Sequence, residues 1–254
     1  MQPFGMASKQ LHIGSAGWSL SRASAPFFPG DGTHLERYAR RFNMAEINSS
    51  FYRPHQASTY GKWAASVPSG FRFAVKFPRA ATHDARLRGC VPVIDTFLSQ
   101  VSGLGDRLGP ILVQLPPSLQ FEARTANAFF RALRARFDGA IVCEPRHASW
   151  FEKKTDAFWS RFEVSRVAAD PVRDAEAAKP GGAGRVRYWR LHGSPRIYYD
   201  AYGEEGLQPW ARDIRAARRK GHDCWVVFDN TAHSHAIPDA LRLQAMLTRA
   251  RKPA

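Results

Sequence analysis

Strand-like and helix-like stretches alternate along this sequence eight times over, and few architectures are open to a chain written that way. The strand candidates are Leu11–Ala16, Met44–Ser49, Phe71–Phe77, Ile111–Leu115, Ala140–Glu144, Val164–Ala169, Val186–His192 and Cys224–Phe228. Each is followed by a polar residue, Gly or Pro, as strands entering loops are. Between them apolar residues recur at i, i+3, i+4 and i+7, the spacing of a helix face. Leu35, Tyr38, Ala39 and Phe42 form one such stripe, and Tyr60, Trp63, Ala64 and Val67 another. Ala126, Phe129, Phe130 and Leu133 repeat it, as do Leu207, Trp210, Ala211 and Ile214. Two looser stripes run through Val93, Ile94, Phe97, Leu98 and Val101, and through Phe151, Phe158, Trp159 and Phe162.

Such alternation implies βαβ units and a parallel sheet. Eight units in 254 residues match the size of a (β/α)8 TIM barrel. The rival, a doubly wound open sheet, announces itself with Gly-x-Gly-x-x-Gly after the first strand. Here the first strand leads into Gly14-Ser15-Ala16-Gly17-Trp18 instead. The sixth β/α unit is irregular, because Pro171 to Arg185 contains Pro180-Gly181-Gly182 and has room for a short helix at best. With no repeat or linker visible, the expectation is a single α/β domain over residues 11–249, with tails at 1–10 and 250–254.

Apolar residues make up 44% of the chain and charged residues 23%, which excludes collagen-like and disordered classes. No stretch approaches the ~18 consecutive apolar residues of a spanning helix, so no membrane partner is expected. The first ten residues lack the apolar centre of a secretion signal. Cys90, Cys143 and Cys224 are widely spaced, with no Cys-x-x-Cys. Free thiols in a reducing cytoplasm are therefore expected, with no zinc knuckle. Lys and Arg number 37 against 22 Asp and Glu, a net charge of +15 and a pI near 10.4. A basic surface concentrates phosphates or nucleic acid. Much of this charge nonetheless falls on polar helix faces, at Arg212, Arg215, Arg218, Arg219 and Lys220, and at Arg131, Arg134 and Arg136, where it reads as solvated surface.

The strands themselves are more informative. In a parallel barrel outward side chains meet helices and are apolar, so the alternation of side chains fixes which residues face inward. Ala45 and Ile47 point out, leaving Glu46 and Asn48 inside; Phe73 and Val75 point out, leaving Lys76. By the same rule the later strands contribute Gln114, Glu144 and Arg146, Asp170, Arg190 and His192. All stand at C-terminal strand ends, where barrel enzymes keep their active sites. Burying such charges costs several kcal/mol per ion, and a purely structural ion-pair plug is the competing explanation.

Glu46, Glu144 and His192 are candidates for proton transfer. Lys76, Arg146 and Arg190 could hold an anionic group, and Asn48, Tyr52, Gln114, Asp170 and Asn230 complete the candidate binding set. No cofactor is expected. A divalent metal on Glu46, Glu144, Asp170 and His192 is a lesser alternative, disfavoured by the cations beside them. Asn230 or Thr231 also reads as a helix N-cap. Trp18, Phe51, Tyr52, Trp150, Tyr198, Tyr199 and Tyr202 lie at or after strand ends, where they could stack on a base or sugar ring or simply close the barrel mouth. His233 and His235 read as incidental. No Gly-x-Ser-x-Gly elbow, Walker loop or His-Glu-x-x-His is present.

Several of these strand ends together resemble the YecE-like family, catalogued as domain of unknown function 72. The stretches are Glu46-Ile47-Asn48-Ser49-Ser50-Phe51-Tyr52, Phe73-Ala74-Val75-Lys76-Phe77-Pro78-Arg79 with Thr82-His83, and Gln114-Leu115-Pro116-Pro117. Glu144-Pro145-Arg146-His147 through Ser149-Trp150, Arg190-Leu191-His192-Gly193 and Phe228-Asp229-Asn230-Thr231 follow in the family's order, from about Ile13 to Leu247. The resemblance implies a TIM barrel and supplies no reaction. Asp229-Asn230 stands where the family usually has paired asparagines, which adds a carboxylate to the last loop. Taken together, the expectation is an anion-binding site at the barrel mouth for a small, phosphorylated or nucleotide-like substrate, with acid–base hydrolysis or isomerisation. The alternatives are a nucleic-acid-binding or processing protein and a non-catalytic scaffold.

Overall fold

A computed structural model describes residues 10–172 and 174–248; apart from Gln10, the expected tails lie outside them. In chain order the elements are β1 (Leu11–Ser15), α1 (His34–Ala39), β2 (Met44–Ile47), α2 (Ser49–Tyr52), α3 (Ala57–Ala65) and β3 (Arg72–Lys76). Next come α4 (Val91–Val101), β4 (Leu108–Gln114), α5 (Ala123–Arg134), β5 (Ile141–Glu144), α6 (Asp156–Arg161), β6 (Val164–Arg166) and β7 (Ala168–Asp170). The chain ends with β8 (Gly181–Gly182), β9 (Val186–Leu191), α7 (Gly203–Arg219), β10 (Asp223–Phe228) and α8 (Ala236–Thr248). The helices form where the apolar stripes fall, and local chemistry sets their ends. Helix α1, for example, starts at a capping box: Thr33 Oγ1 accepts from Glu36 N, and Thr33 N donates to Glu36 Oε2 at 2.6 Å, satisfying two otherwise orphaned donors.

The strands form two sheets, ordered β2-β3-β4-β5-β6-β8 and β1-β10-β9-β7. Every pairing is parallel except that of β8, which runs antiparallel to β6. The sequence suggests one closed eight-stranded barrel, whereas the hydrogen bonding gives two sheets that meet at two seams. At the first, β1 and β2 share a single bridge, Ala16 to Glu46. At the second, the expected strand Val164–Ala169 changes partner. Val167 N still donates to Cys143 O on β5 at 2.8 Å, while Ala168 is already in register with Trp189 on β9. The segment thus pairs with β5 through its first half and with β9 through its second, as the separate strands β6 and β7. Between Pro171 and Arg185 the described residues form a one-turn helix at Ala175–Ala178 and the two residues of β8.

Alternation of side chains sorts the core into two apolar layers. Ala45, Ile47, Phe73, Val75, Val113 and Leu115 pack with the helix stripes. Met44, Ala74, Leu112, Val142, Val167, Tyr188, Trp225 and Val227, drawn from both sheets, pack together in a second cluster. The sheets therefore enclose one common face, and both sides of their strands are buried, as parallel sheets require. Cys90, Cys143 and Cys224 are free and buried. No helix of the described residues is long and apolar enough to cross a membrane.

The β1–β2 seam depends on Tyr38. Its hydroxyl accepts from Ser15 N at 2.7 Å and lies 3.1 Å from Met44 O as a donor. Gly14 makes this approach feasible, since a Cβ there would stand 2.1 Å from Met44 O. Tyr38→Phe leaves a buried N–H and a buried carbonyl without this partner, so a loss of about 1–3 kcal/mol is expected. Urea denaturation measures it; an unchanged midpoint would show that the hydroxyl does not hold the seam.

Candidate functional site

Continuing each strand of the enclosed layer by two residues turns its chemistry from apolar to charged. Met44 is followed by Glu46, Ala74 by Lys76, Val142 by Glu144, Tyr188 by Arg190 and Val227 by Asp229. Gln114 follows Leu112 in the same way. The ionisable members all lie at the C-terminal ends of strands and are buried, and His192, two residues past Arg190, is buried with them.

Arg190 is the centre of this layer and is 0% exposed. Its Nε donates to Glu46 Oε2 at 3.1 Å, and its Nη2 to Glu46 Oε1 at 2.7 Å. Nη2 also donates to Asp229 Oδ2 at 2.8 Å, and Nη1 to Glu144 Oε2 at 2.8 Å. The Tyr188 hydroxyl adds a donor to Glu46 Oε2 at 2.9 Å. Burial opposes the charge on Arg190, but Glu46, Glu144 and Asp229 outweigh it and hold its pKa well above the usual value. Burial likewise pushes the Glu144 carboxyl up, yet Arg146, Arg190 and His192 prevail and keep it well below the normal carboxylate range. Asp229 is lowered against its burial by Arg190 and His192.

His192 bridges the cluster. Its Nδ1 is 3.1 Å from Asp229 Oδ2, and its Nε2 is 3.0 Å from Arg146 Nη2 and 3.3 Å from Glu144 Oε1. Nδ1 thus faces a carboxylate, and Nε2 faces both a guanidinium and a second carboxylate. Arg146 also pairs with Glu144 and keeps 16% of its side chain exposed. Tyr198 stands edge-on to His192 at 5.5 Å.

Lys76 differs from the other cations. It is 7% exposed, and among the described residues its Nζ has no hydrogen bond and no carboxylate within 4.0 Å. Its ammonium lies over the Phe51 ring, 4.2 Å from the centroid. Burial, then Arg190, lowers its pKa from 10.5 to about 8, against the pull of Glu46, Glu144 and Asp229.

The remaining candidates are distributed unevenly. Asn48 and Gln114 are half-buried, and Asn48 Oδ1 is enclosed without a partner. Asp170 stands aside, accepting from Tyr202 OH at 2.8 Å, and burial raises its pKa despite that bond and His192. Asn230 donates to Asp200 O at 3.0 Å and Asp239 Oδ2 at 2.9 Å, tying the loop after β9 to α8. Neither Asn230 nor Thr231 caps α8: a turn through Ser234, at φ 63°, delays the helix to Ala236. Tyr52 falls outside the cluster, being 74% exposed and edge-on to Phe51. Trp150 is enclosed and donates to Leu119 O, so it belongs to the core instead of the mouth. The four proposed metal ligands do not converge, because Asp170 is turned to Tyr202 and Arg190 links Glu46 to Glu144. Among the described residues no group of three or more metal-binding side chains is assembled. Two participants were absent from the sequence-derived set, Tyr188 and Asp229; the two-residue period that gave Glu46 and Arg190 also reaches both.

The surplus of arginine has a structural use as well. Arg37 donates to Phe28 O at 2.8 Å, Arg40 to Asp31 O at 2.7 Å, and Arg134 to Gly139 O at 2.8 Å and Phe162 O at 3.1 Å. These guanidiniums clamp loop and helix-end carbonyls in place of carboxylates.

The family model described as "Protein of unknown function DUF72" matches residues 12–254. The UPF0759 protein YecE of Escherichia coli K12 is 35% identical over 156 residues, 58% of this chain and 56% of that protein. The chain thus matches little more than half the length of that relative. The UPF0759 protein YunF of Bacillus subtilis is 22% identical over 93% of this chain and 94% of its own. Crystal structures of DUF72 family proteins share the fold. That from Thermotoga maritima has a TM-score of 0.81 at 22% identity, covering 94% of this chain and 100% of its own. One from Enterococcus faecalis has a TM-score of 0.77 at 19% identity, covering 95% and 99%.

The lowered Lys76 pKa has a stability consequence. The folded protein binds this proton less tightly than the unfolded chain, so the penalty is complete below about pH 8 and fades as pH rises to 10.5. Lys76→Met is expected to stabilise the protein at pH 7 by about 2–3 kcal/mol, with the gain vanishing near pH 10.5. Denaturation of both proteins across that range tests this; a destabilised or pH-independent variant would contradict it.

Proposed function

The chain belongs to the DUF72 family, and we propose that its two sheets act as one (β/α)8 barrel whose C-terminal mouth binds a small anionic substrate. The observation that carries this reading is the enclosed, unpaired Lys76 ammonium in the same cluster as Arg146, a guanidinium that pairs with Glu144 and still reaches solvent. A lysine retained for folding alone would be expected to pair with one of three nearby carboxylates, whereas a buried cation left without a partner among charged groups is a candidate functional group. A phosphorylated compound is the favoured substrate class. Lys76 and Arg146 would hold its anionic group, with Asn48 and Gln114 at the side of the site.

Arg190 has no such role in this reading, since its donors are occupied by Glu46, Glu144 and Asp229. It is a positioning residue, and Glu46, held by Arg190 and Tyr188, positions it in turn. Proton transfer falls to His192, oriented by Asp229, and to Glu144. Such a pair suits acid–base hydrolysis or isomerisation. Binding of nucleic acid has only the net charge in its favour, and part of that charge is engaged in clamping carbonyls.

A ligand that binds only the folded state raises its melting temperature. Inorganic phosphate at constant ionic strength is expected to raise the Tm of the protein by several degrees, and that of Lys76→Met by less than half as much. No rise, or equal rises in the two proteins, would refute the assignment.

A further inference from the structure

We propose that Lys76 is a nucleophile, whose amine condenses with the carbonyl group of a small anionic aldehyde or ketone to form a protonated imine. This deepens the anion-binding reading of the mouth and rests on it. The arrangement provides what such a residue requires. Lys76 lies at the end of β3, where its backbone carbonyl and that of Ile47 share the Ser50 hydroxyl proton, with Ser50 Oγ 2.7 Å from Lys76 O and 2.9 Å from Ile47 O. The stem is thereby fixed to the turn after β2, and the amine is held over Phe51. Three carboxylates lie close enough to influence it, yet Arg190 engages each of them. The nitrogen is left without a counter-ion, and it is not among the fully sealed, partnerless polar atoms of the described residues.

The neighbours suit the substrate. Arg146, paired with Glu144, keeps 16% of its side chain exposed, and its planar guanidinium is suited to a carboxylate or phosphate. His192, backed by Asp229, lies beside Arg146 and can relay protons. With its pKa near 8, Lys76 is about one-tenth free amine at pH 7, against less than one in a thousand for an ordinary lysine. A lysine in a purely structural cation–π contact would need no such isolation from its carboxylate neighbours.

The step balances without another reactant. The Nζ lone pair forms a bond to the carbonyl carbon, and the C=O π pair moves to oxygen. Two protons that began on the ammonium leave with that oxygen as water, and the positive charge remains on the C=N nitrogen. The iminium then draws electrons from a neighbouring C–H or C–C bond, with Glu144 or His192 available to take the proton.

Glyoxylate with cyanoborohydride at pH 7 tests the inference, because reduction of the imine leaves a carboxymethyl group on the nitrogen. Peptide mass mapping is expected to find Lys76 modified at least tenfold faster than Lys154 and Lys179, which are exposed and paired with Glu152 and Glu176. Inorganic phosphate should slow the reaction at Lys76 alone, and Lys76→Met should lose the fast site. Modification of the exposed lysines at an equal or greater rate would overturn the proposal. If Lys76 stays unmodified while phosphate still raises the Tm, the nucleophile fails and the anion site stands. If Lys76 reacts fast with no effect of phosphate, the anion site fails and the nucleophile stands.

Discussion

The C-terminal end of this fold depends on the bonds of one buried guanidinium. Glu46 and Glu144 come from one sheet, and Arg190 and Asp229 from the other, so Arg190 joins across the layer two sheets whose backbone ladders meet only at seams. Burying such ions costs several kcal/mol each, which good geometry and further hydrogen bonds must offset. The planar fork of arginine supplies them, with donors to three carboxylates at once. Lysine, with a single nitrogen, could not span the same three. Tyr188 satisfies a further lone pair of Glu46, and His192 one of Asp229.

The same bonds explain the character of the rest of the mouth. Because Arg190 takes the carboxylates, Lys76 remains enclosed with an aromatic ring beneath it and no anion beside it. Because Asp229 also holds His192, the imidazole presents Nε2 toward Arg146 and Glu144. A structural contact and a reactive one thus share residues, and the cost of the second is borne by the strength of the first. The net charge contributes less than its size suggests, since many arginines serve as clamps for backbone carbonyls.

Much of this was legible in the sequence because parallel strands buried on both faces leave little freedom. Once Ala45, Ile47, Phe73 and Val75 are assigned to the helices, Glu46 and Lys76 must face the other way. The rule stops where the strand stops: Tyr52 lies in α2, and there the two-residue period no longer places it. Tyr188 was missed for the opposite reason, since an aromatic residue inside a strand reads as core until Glu46, 142 residues away, is brought to its hydroxyl. Asn230 was a ligand candidate and proved to be a strut, because its partners Asp200 and Asp239 belong to a loop and a helix whose approach no local pattern encodes. The seams are hidden for the same reason. Which strand Val167 follows and which Ala168 follows is settled by long-range register, and the sequence of that segment is uniformly strand-like.

Titration of the Lys76 side chain by NMR, observed through its Cε, examines the central claim most directly. If this ammonium is buried without a counter-ion because Arg190 engages the carboxylates, the midpoint falls near 8 instead of at the ordinary 10.5. A midpoint at or above 10.5 would mean that Lys76 is ion-paired or well solvated, and would contradict the account of the site.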